Sequence, residues 1–243
     1  MKISLAQTRP VTGDVPANIT EHLKIIARAV AEGAGLIVFS ELSLTGYEPT
    51  LAKELAADSH DARFDCFQSA SDASGIVIAA GMPTRHDDGV RISLLLFQPS
   101  RPRSLYSKTY LHADEEPFFV PGRSSPEWQV GGTKIALAIC YEISVDSHLQ
   151  SALQSQPDVY IASVAKSPSG IGKALDRLAG IARTHSIPVL MPNAVGMADG
   201  GKCAGKSSAW NVCGELIGQL TSDDEGLLTM DVVAGTVASA ASR

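Results

Sequence analysis

The 243-residue sequence lacks several features that would each have pointed to a class of protein. Met1-Lys2 leads straight into a strand-like segment, without the apolar core of roughly 7–15 residues and the cleavage pattern of a secretory leader. A cytoplasmic protein with no membrane partner is therefore expected. Cysteine is sparse: Cys66, Cys140, Cys203 and Cys213 show no dense framework spacing, and a chain of this length needs no covalent staples, so a reducing compartment is the simpler expectation. Cys203 and Cys213 have no CxxC neighbour and no His-rich run beside them, which argues against a zinc site, and no metal is expected. Lys and Arg are scattered, and the net charge of −6 leaves no basic surface to attract nucleic acid. No linker divides the chain, so residues 1–243 read as one domain. Gly170-Ile171-Gly172-Lys173 resembles a phosphate loop only at its end, because Ser167 stands where the earlier glycine is needed.

What is present is an apolar content of 44% against 19% charged residues, enough for a sizeable buried core. The pattern alternates strand and helix. Ile3–Gln7 reads as a strand, and a helix is expected from about Asn18, with Leu23, Ile26, Ala27 and Val30 at helical spacing and Gly33 and Gly35 ending it. The Leu36 run follows, then a helix near Phe64–Ala73 and a buried strand at Ile76–Gly81. Arg91–Gln98 and Ser104–Tyr110 read as a hairpin pair around Pro99-Ser100-Arg101-Pro102. Beyond Cys140 come a helix through Leu149 and Leu153, a strand at Val159–Val164, a helix from about Lys173 to His185, a strand at Val189–Met191, and two or three short strands to Val233. The small-residue tail after Val233 reads as loosely ordered. Simple alternation suggests a doubly wound sheet, but the added hairpins argue for more strands than one parallel sheet usually holds.

Three of these segments end in reactive side chains. Lys134–Ile139 is an apolar run closed by Cys140, and Leu36–Phe39 leads to Glu41. Ser104–Leu111 alternates, so that Lys108 shares a face with Tyr106 and Tyr110. Strand ends hold side chains rigidly at the rim of a sheet. A carboxylate to take a thiol proton, a cation for a developing oxyanion and a nucleophile make a chemically complete set. A lone buried cysteine is more often plain packing, and the company of Glu41 and Lys108 is what changes that reading for Cys140.

Phe39-Ser40-Glu41-Leu42-Ser43-Leu44-Thr45-Gly46-Tyr47, Ser107-Lys108-Thr109-Tyr110-Leu111 and Ala138-Ile139-Cys140-Tyr141-Glu142 resemble, in order, the Glu, Lys and Cys motifs of the nitrilase superfamily of carbon-nitrogen hydrolases. Supporting similarity runs from Ile3–Gln7 to Asn193-Ala194-Val195-Gly196 and Gly205-Lys206-Ser207-Ser208. The resemblance implies an α/β fold, specifically a four-layer α-β-β-α sandwich. It implies a cofactor-free amidase acting through a Cys140 thioester on a small carboxamide or N-carbamoyl compound, with a homodimer as the assembly. Glu41 is then the general base, Lys108 and the backbone N–H of Tyr141 the oxyanion donors. Glu115, in the acidic segment His112–Phe119, is the match to a second glutamate near the lysine; Asp114 and Glu116 are its neighbours in an otherwise solvated loop. Acyl transfer, nitrile hydrolysis and a non-catalytic binding role are the alternatives on the same scaffold.

Three further residues are candidates for substrate contact. Tyr47 either covers the site or packs in its loop. Glu142 either lines the pocket or bonds backbone at a helix start. Lys166 either binds a substrate carboxylate or is a solvated lysine. His148 and His185 fall in helical stretches and need no chemistry. After Glu142-Ile143 the chain runs Ser144-Val145-Asp146-Ser147, where many relatives carry Arg, Phe, Pro and Glu, so a particular subfamily's pocket does not transfer to it.

Overall fold

A computed structural model describes residues 1–123 and 128–241, and the alternating pattern resolves into two sheets rather than one. The first half of the chain builds β1 (Lys2–Gln7), α1 (Val15–Ala31), β2 (Leu36–Val38), α2 (Ala52–Leu55), α3 (Asp65–Ser74), β3 (Val77–His86), β4 (Gly89–Phe97) and β5 (Ser104–Ser107). The second half builds β6 (Trp128–Val130), β7 (Thr133–Ile139), α4 (Asp146–Leu153), β8 (Val159–Ser163), α5 (Pro168–His185), β9 (Val189–Met191), β10 (Val195–Ala198), β11 (Gly201–Ala204), β12 (Ser208–Trp210), β13 (Leu216–Gln219), β14 (Gly226–Asp231) and β15 (Thr236–Ala241). A seven-stranded sheet runs in the order β15-β14-β1-β2-β3-β4-β5, and a six-stranded sheet in the order β13-β12-β9-β8-β7-β6. Each has a parallel centre, β1-β2-β3 in one and β7-β8-β9 in the other, extended by antiparallel strands. No helix among the described residues is long and apolar enough to cross a membrane.

The period-two alternation of strand side chains sorts the core into three apolar layers. Leu36 and Val38 point between the sheets, with Ile135, Leu137, Ile139, Val159 and Ile161 facing them from the other side. Their neighbours Ile37 and Phe39 point outward to meet Ile25, Ile26 and Phe67 of α1 and α3. Ala136, Ala138, Tyr160 and Ala162 meet Ile171, Leu178 and Ile181 of α5 on the opposite outer face. The result is an α-β-β-α sandwich. It explains why the central strands are apolar without interruption, since both faces are covered.

Several boundaries differ from the sequence reading. α1 begins at Val15 rather than near Asn18, because Asp14 caps it, accepting from the Ala17 N–H at 3.0 Å, and Pro16 sits in the first turn where it costs no hydrogen bond. α5 starts at Pro168, five residues before the expected Lys173, with the proline likewise in the first turn but no side-chain cap from Ser167. β3 runs on through Pro83, which a central strand normally excludes. It does so because β2 stops at Val38 against Ala79, and beyond it that edge meets only an isolated bridge from Ala57, whose N–H donates to the Pro83 carbonyl at 3.1 Å and asks no donor of the proline. Five strands, β10 to β14, occupy the stretch where two or three were expected, and the tail after Val233 is not loose: Thr236–Ala241 pairs antiparallel with β14.

Gly81 of β3 shows how tightly the layers are set. A Cβ there would stand 2.4 Å from the Leu42 backbone nitrogen and 2.6 Å from the Ser40 carbonyl oxygen, so the segment carrying Glu41 lies directly on this glycine. Gly81→Ala is expected to destabilise by at least ~1–3 kcal/mol, since backbone cannot rotate away as a side chain does. Gly172→Ala, in α5 with nothing within 4 Å, is expected to be neutral or slightly stabilising. Thermal unfolding of the two variants side by side checks this; equal melting temperatures would refute the close approach.

Candidate active site

The directions of the strands decide where the reactive side chains meet. β2 and β3 are parallel, β4 runs against β3 and β5 against β4, so the chain leaves β2 and β5 at the same end of the seven-stranded sheet. Glu41 lies just beyond β2 and Lys108 just beyond β5. In the other sheet, Cys140, Lys166 and Asn193 follow the carboxyl ends of the parallel strands β7, β8 and β9. This is the end at which open α/β sheets place ligands. The turns are sharp: Leu42, immediately after Glu41, has φ 51°, and Cys140 itself has φ 46°. Left-handed backbone at non-glycine residues costs about 1–3 kcal/mol and persists where surrounding structure enforces it.

Lys108 is fully buried at 0% exposure, between two carboxylates that are themselves buried, Glu41 at 2% and Glu115 at 1%. Its Nζ donates to Glu41 Oε1 at 2.9 Å and to Glu115 Oε1 at 2.6 Å. Glu115 is fixed from two more sides, by the Tyr47 hydroxyl at 3.0 Å and by the His112 N–H at 2.8 Å on Oε2. Of the acidic loop, it is therefore Glu115 that turns inward. Asp114 faces out and pairs with His112 Nδ1 at 2.5 Å. Glu41 Oε2 is buried with no hydrogen-bond partner.

One cation among two carboxylates and a thiol sets the protonation of the group. Burial pulls the Lys108 ammonium down, but Glu41, Cys140 and Glu115 more than reverse it, so it is held above an ordinary lysine. Burial raises the Glu41 carboxyl; Lys108 opposes this and Glu115 adds to it, leaving it above the usual glutamate range. The Cys140 thiol is pushed up to about 11, first by burial and then by Glu41, against the pull of Lys108, Lys166 and the Ala165 N–H. At neutral pH Cys140 therefore keeps its proton and Lys108 its charge, and the raised proton affinity of Glu41 suits that carboxylate to accept the thiol proton.

The cleft above Cys140 has a volume of about 330 Å3 and is walled by Tyr47, His112, Glu115, Tyr141, Lys166 and residues of the β10–β11 hairpin. Tyr141 stacks edge-on against His112 with ring centroids 5.0 Å apart. Its backbone N–H lies in the first turn of the 3-10 segment Cys140–Ser144, where N–H groups lack intrahelical acceptors. Glu115, Cys140, Tyr141, Tyr47 and Lys166 line this cavity, and Lys108 and Glu41 lie buried behind it, joined to it through the Lys108 bond to Glu115.

Glu142 is not among them. As a substrate contact it is corrected: it is 0% exposed, does not line the cleft, and bonds backbone on two separate elements. Oε1 accepts from the Thr109 N–H at 2.6 Å, the Thr109 hydroxyl at 2.7 Å and the Tyr110 N–H at 3.3 Å. Oε2 accepts from the Ile139 N–H at 2.7 Å and the Tyr106 hydroxyl at 2.5 Å. It clamps the residue after Lys108 to the residue before Cys140. The side of its alternative reading that mentions backbone bonding holds, but the backbone is mostly that of a distant strand end.

Sequence reasoning also passed over Asn193 and Ala165. Asn193 is fully buried; its Oδ1 accepts from the Lys166 N–H at 2.8 Å and its Nδ2 donates to the Gly205 carbonyl at 2.6 Å, which fixes the wall of the cleft. The motif Asn193-Ala194-Val195-Gly196 was visible, but its task depends on chain crossings that spacing does not reveal. No group of three or more side chains suited to holding a metal ion occurs among the described residues.

Comparison with known proteins adds to this geometry. A family model described as carbon-nitrogen hydrolase matches residues 2–242. The glutamine-dependent NAD(+) synthetase of Thermotoga maritima is 25% identical over 242 residues, covering 96% of this chain but 42% of the synthetase, so the chain spans less than half of that relative. An (R)-stereoselective amidase of Pseudomonas sp is 26% identical over 229 residues, covering 92% of this chain and 82% of the relative. Among solved structures, an amidase from Nesterenkonia sp. AN1 superposes with a TM-score of 0.86 at 23% identity, covering 95% of this chain and 89% of that one. That structure carries the acetamide moiety of fluoroacetamide covalently on its active-site cysteine. At this identity the likeness establishes a shared fold.

Proposed function

Because the chain belongs to the carbon-nitrogen hydrolase family, we propose that it hydrolyses the C–N bond of a small carboxamide or N-carbamoyl compound through a thioester on Cys140. The observation that carries this reading is the buried Lys108 held between Glu41 and Glu115 beside the Cys140 turn. A structural ion pair has little reason to be built from three buried charges at the floor of an open cleft, since desolvating them is costly.

In the first half-reaction Glu41 takes the Cys140 proton as the sulfur attacks the amide carbon. The carbonyl oxygen gains the negative charge and is held by the Lys108 ammonium and the Tyr141 N–H. Glu41 then returns the proton to the nitrogen, the C–N bond breaks, and ammonia or an amine departs. In the second half a water gives its proton to Glu41 and attacks the thioester carbon. The C–S bond breaks, the acid leaves, and the proton passes back to sulfur. Glu115 and Tyr47 hold Lys108 in line throughout. The amidase name of one relative and the glutamine dependence named in another both accord with an amide as substrate.

Ammonia release from a panel of small amides, carbamoyl compounds and nitriles tests the reading. Turnover of at least one amide class is expected. A Cys140 acyl adduct that forms with one equivalent of ammonia and then stalls points instead to acyl transfer, and the absence of both turnover and adduct across the panel sinks the proposal. The pH profile is a second check. Glu41 acts as base only when ionised, and its carboxyl is raised, so kcat/KM is expected to fall on the acid side at a pH above the usual glutamate value of about 4.3. A profile flat down to that value would rule out Glu41 as the base.

A further inference from the structure

A charge-by-charge reading of the cleft leaves one cation without a counter-charge. Glu115 is paired with Lys108 and Lys202 with Asp223, while Asp114 is hydrogen-bonded to His112, whose ring carries charge only when protonated. Lys166 lines the same cavity and has no ion-pair partner among the described residues. It is not a free-swinging surface lysine. Its N–H is held by the fully buried Asn193 and its carbonyl accepts from the Ala204 N–H at 2.8 Å. Its side chain lies along the start of α5: a Cβ placed on Gly170 would stand 3.8 Å from the Lys166 Cδ. Ser167 and Gly170, from that same helix start, line the cavity beside it, so the positive end of an 18-residue helix adds to the lysine's field. The charge also reaches the reacting sulfur, where it pulls the Cys140 thiol down against the effect of burial.

We propose that the substrate of this site is an amide that also carries a carboxylate, and that Lys166 is the residue that selects it. This deepens the hydrolase reading and rests on it. The carboxylate seats against the Lys166 ammonium at the α5 end of the cleft while the amide carbon lies over Cys140. A cavity of about 330 Å3 suits a short acid of this kind rather than a long peptide. Two kinds of compound share the chemistry, a plain dicarboxylic acid monoamide and an amino acid side-chain amide. Asp199 bears on the choice. It stands at the tip of the β10–β11 hairpin on the cavity wall, and its carboxylate likewise has no ion-pair partner among the described residues, so a substrate ammonium has a place to go.

The test compares kcat/KM for glutaramate, glutamine, pentanamide and 5-aminopentanamide in the full-length protein. These share an amide and a chain of similar length and differ in the far group. The expected order puts glutaramate or glutamine above pentanamide, with 5-aminopentanamide last. In Lys166→Met, the ratio of glutaramate to pentanamide is expected to drop roughly 10- to 100-fold, the size of a lost charge-assisted contact. Lys166→Arg should restore much of the ratio, and Lys166→Glu should move preference towards 5-aminopentanamide. Because each ratio is taken within one variant, a change in thiol reactivity or in the fraction folded cancels. Glutamine above glutaramate identifies the amino acid amide, the reverse the monoamide, and either supports the proposal. A wild-type preference for pentanamide, or a ratio indifferent to all three substitutions while turnover persists, overturns it and leaves the hydrolase reading standing. Absence of turnover of every amide, with no Cys140 adduct, overturns both.

Discussion

Cys140→Ala is expected to lower amide turnover by at least roughly a thousandfold while leaving the fold and its melting temperature nearly unchanged. Two thiols line the cleft, and Cys140 is the one at a strand end under the field of Lys108, whereas that of Cys203 is pushed up to about 12, chiefly by burial. Lys108 and Tyr141 keep their oxyanion contacts in the variant and Glu41 keeps its proton affinity, but none replaces the nucleophile. Stability changes little because the residue is partly exposed and left-handed, and alanine tolerates φ 46° about as poorly as cysteine does. A haloacetamide provides an independent readout. Cys213 is exposed and takes such a reagent in any variant, whereas Cys140, with its thiol pushed up to about 11, reacts as a bare thiol only slowly. An amide-shaped reagent binds against Lys108 while Glu41 takes the Cys140 proton and the sulfur displaces the halide, so labelling of Cys140 by a haloacetamide should outrun labelling by a neutral alkylator that lacks the amide. Intact-mass and peptide mapping decide between them. Undiminished ammonia release from Cys140→Ala removes the mechanism proposed above.

Glu142→Ala is expected to damage stability and rate together, although Glu142 touches no substrate. The substitution leaves the N–H groups of Thr109, Tyr110 and Ile139 and the Thr109 hydroxyl without their acceptor, while the Tyr106 hydroxyl keeps only His148 Nε2 at 2.9 Å. Unsatisfied buried donors cost about 1–3 kcal/mol each, so a loss on the order of 4 kcal/mol or more is expected. At about 2–4 °C per kcal/mol for a domain of this size, the melting temperature should fall by roughly 10 °C or more. The rate effect has a different origin. Glu142 ties the residue after Lys108 to the residue before Cys140, so releasing it loosens the distance between cation and nucleophile. Glu142→Gln separates the two effects, since it keeps the volume but turns one oxygen into a donor facing other donors. It should remain folded near room temperature with kcat reduced more than KM, because misplacement of the oxyanion donor is felt in the transition state. Wild-type kcat in a folded Glu142→Gln would show that the clamp is only structural.

Much of the site was legible because its members stand at the ends of apolar runs. Glu41 and Cys140 close strands whose uninterrupted Val, Ile, Leu and Ala content marks them as buried on both faces, and strand ends are where such chains expose chemistry. The existence of most elements followed from periodicity in the same way. What remained hidden was whatever depends on partners far apart in sequence. Glu142 meets Thr109 across 33 residues, and nothing local to either distinguishes that carboxylate from one capping its own helix. The extension of β3 through Pro83 depends on where its neighbour stops, and the pairing of β15 depends on a free edge of β14. The starts of α1 and α5 differ for a plainer reason: Asp14-Val15-Pro16 and Ser167-Pro168 open each helix with a polar residue and a first-turn proline, ahead of the apolar positions that mark it by spacing.

Glu41 and Lys108 stand on one sheet and Cys140 on the other, so the proposed reaction is assembled across the interlayer. The packing of Leu36, Val38, Leu137, Ile139 and Ile161 sets the gap, and the Ser163 hydroxyl on the Phe39 carbonyl, at 2.9 Å, pins the two sheets together close to the reacting groups. These apolar side chains therefore serve as spacers of the catalytic distance as well as ballast for the fold. Exchanging one for a slightly larger or smaller neighbour retunes reactivity without altering any group that touches substrate. For laboratory evolution, the interlayer is a set of adjusting screws that can be turned from far outside the pocket.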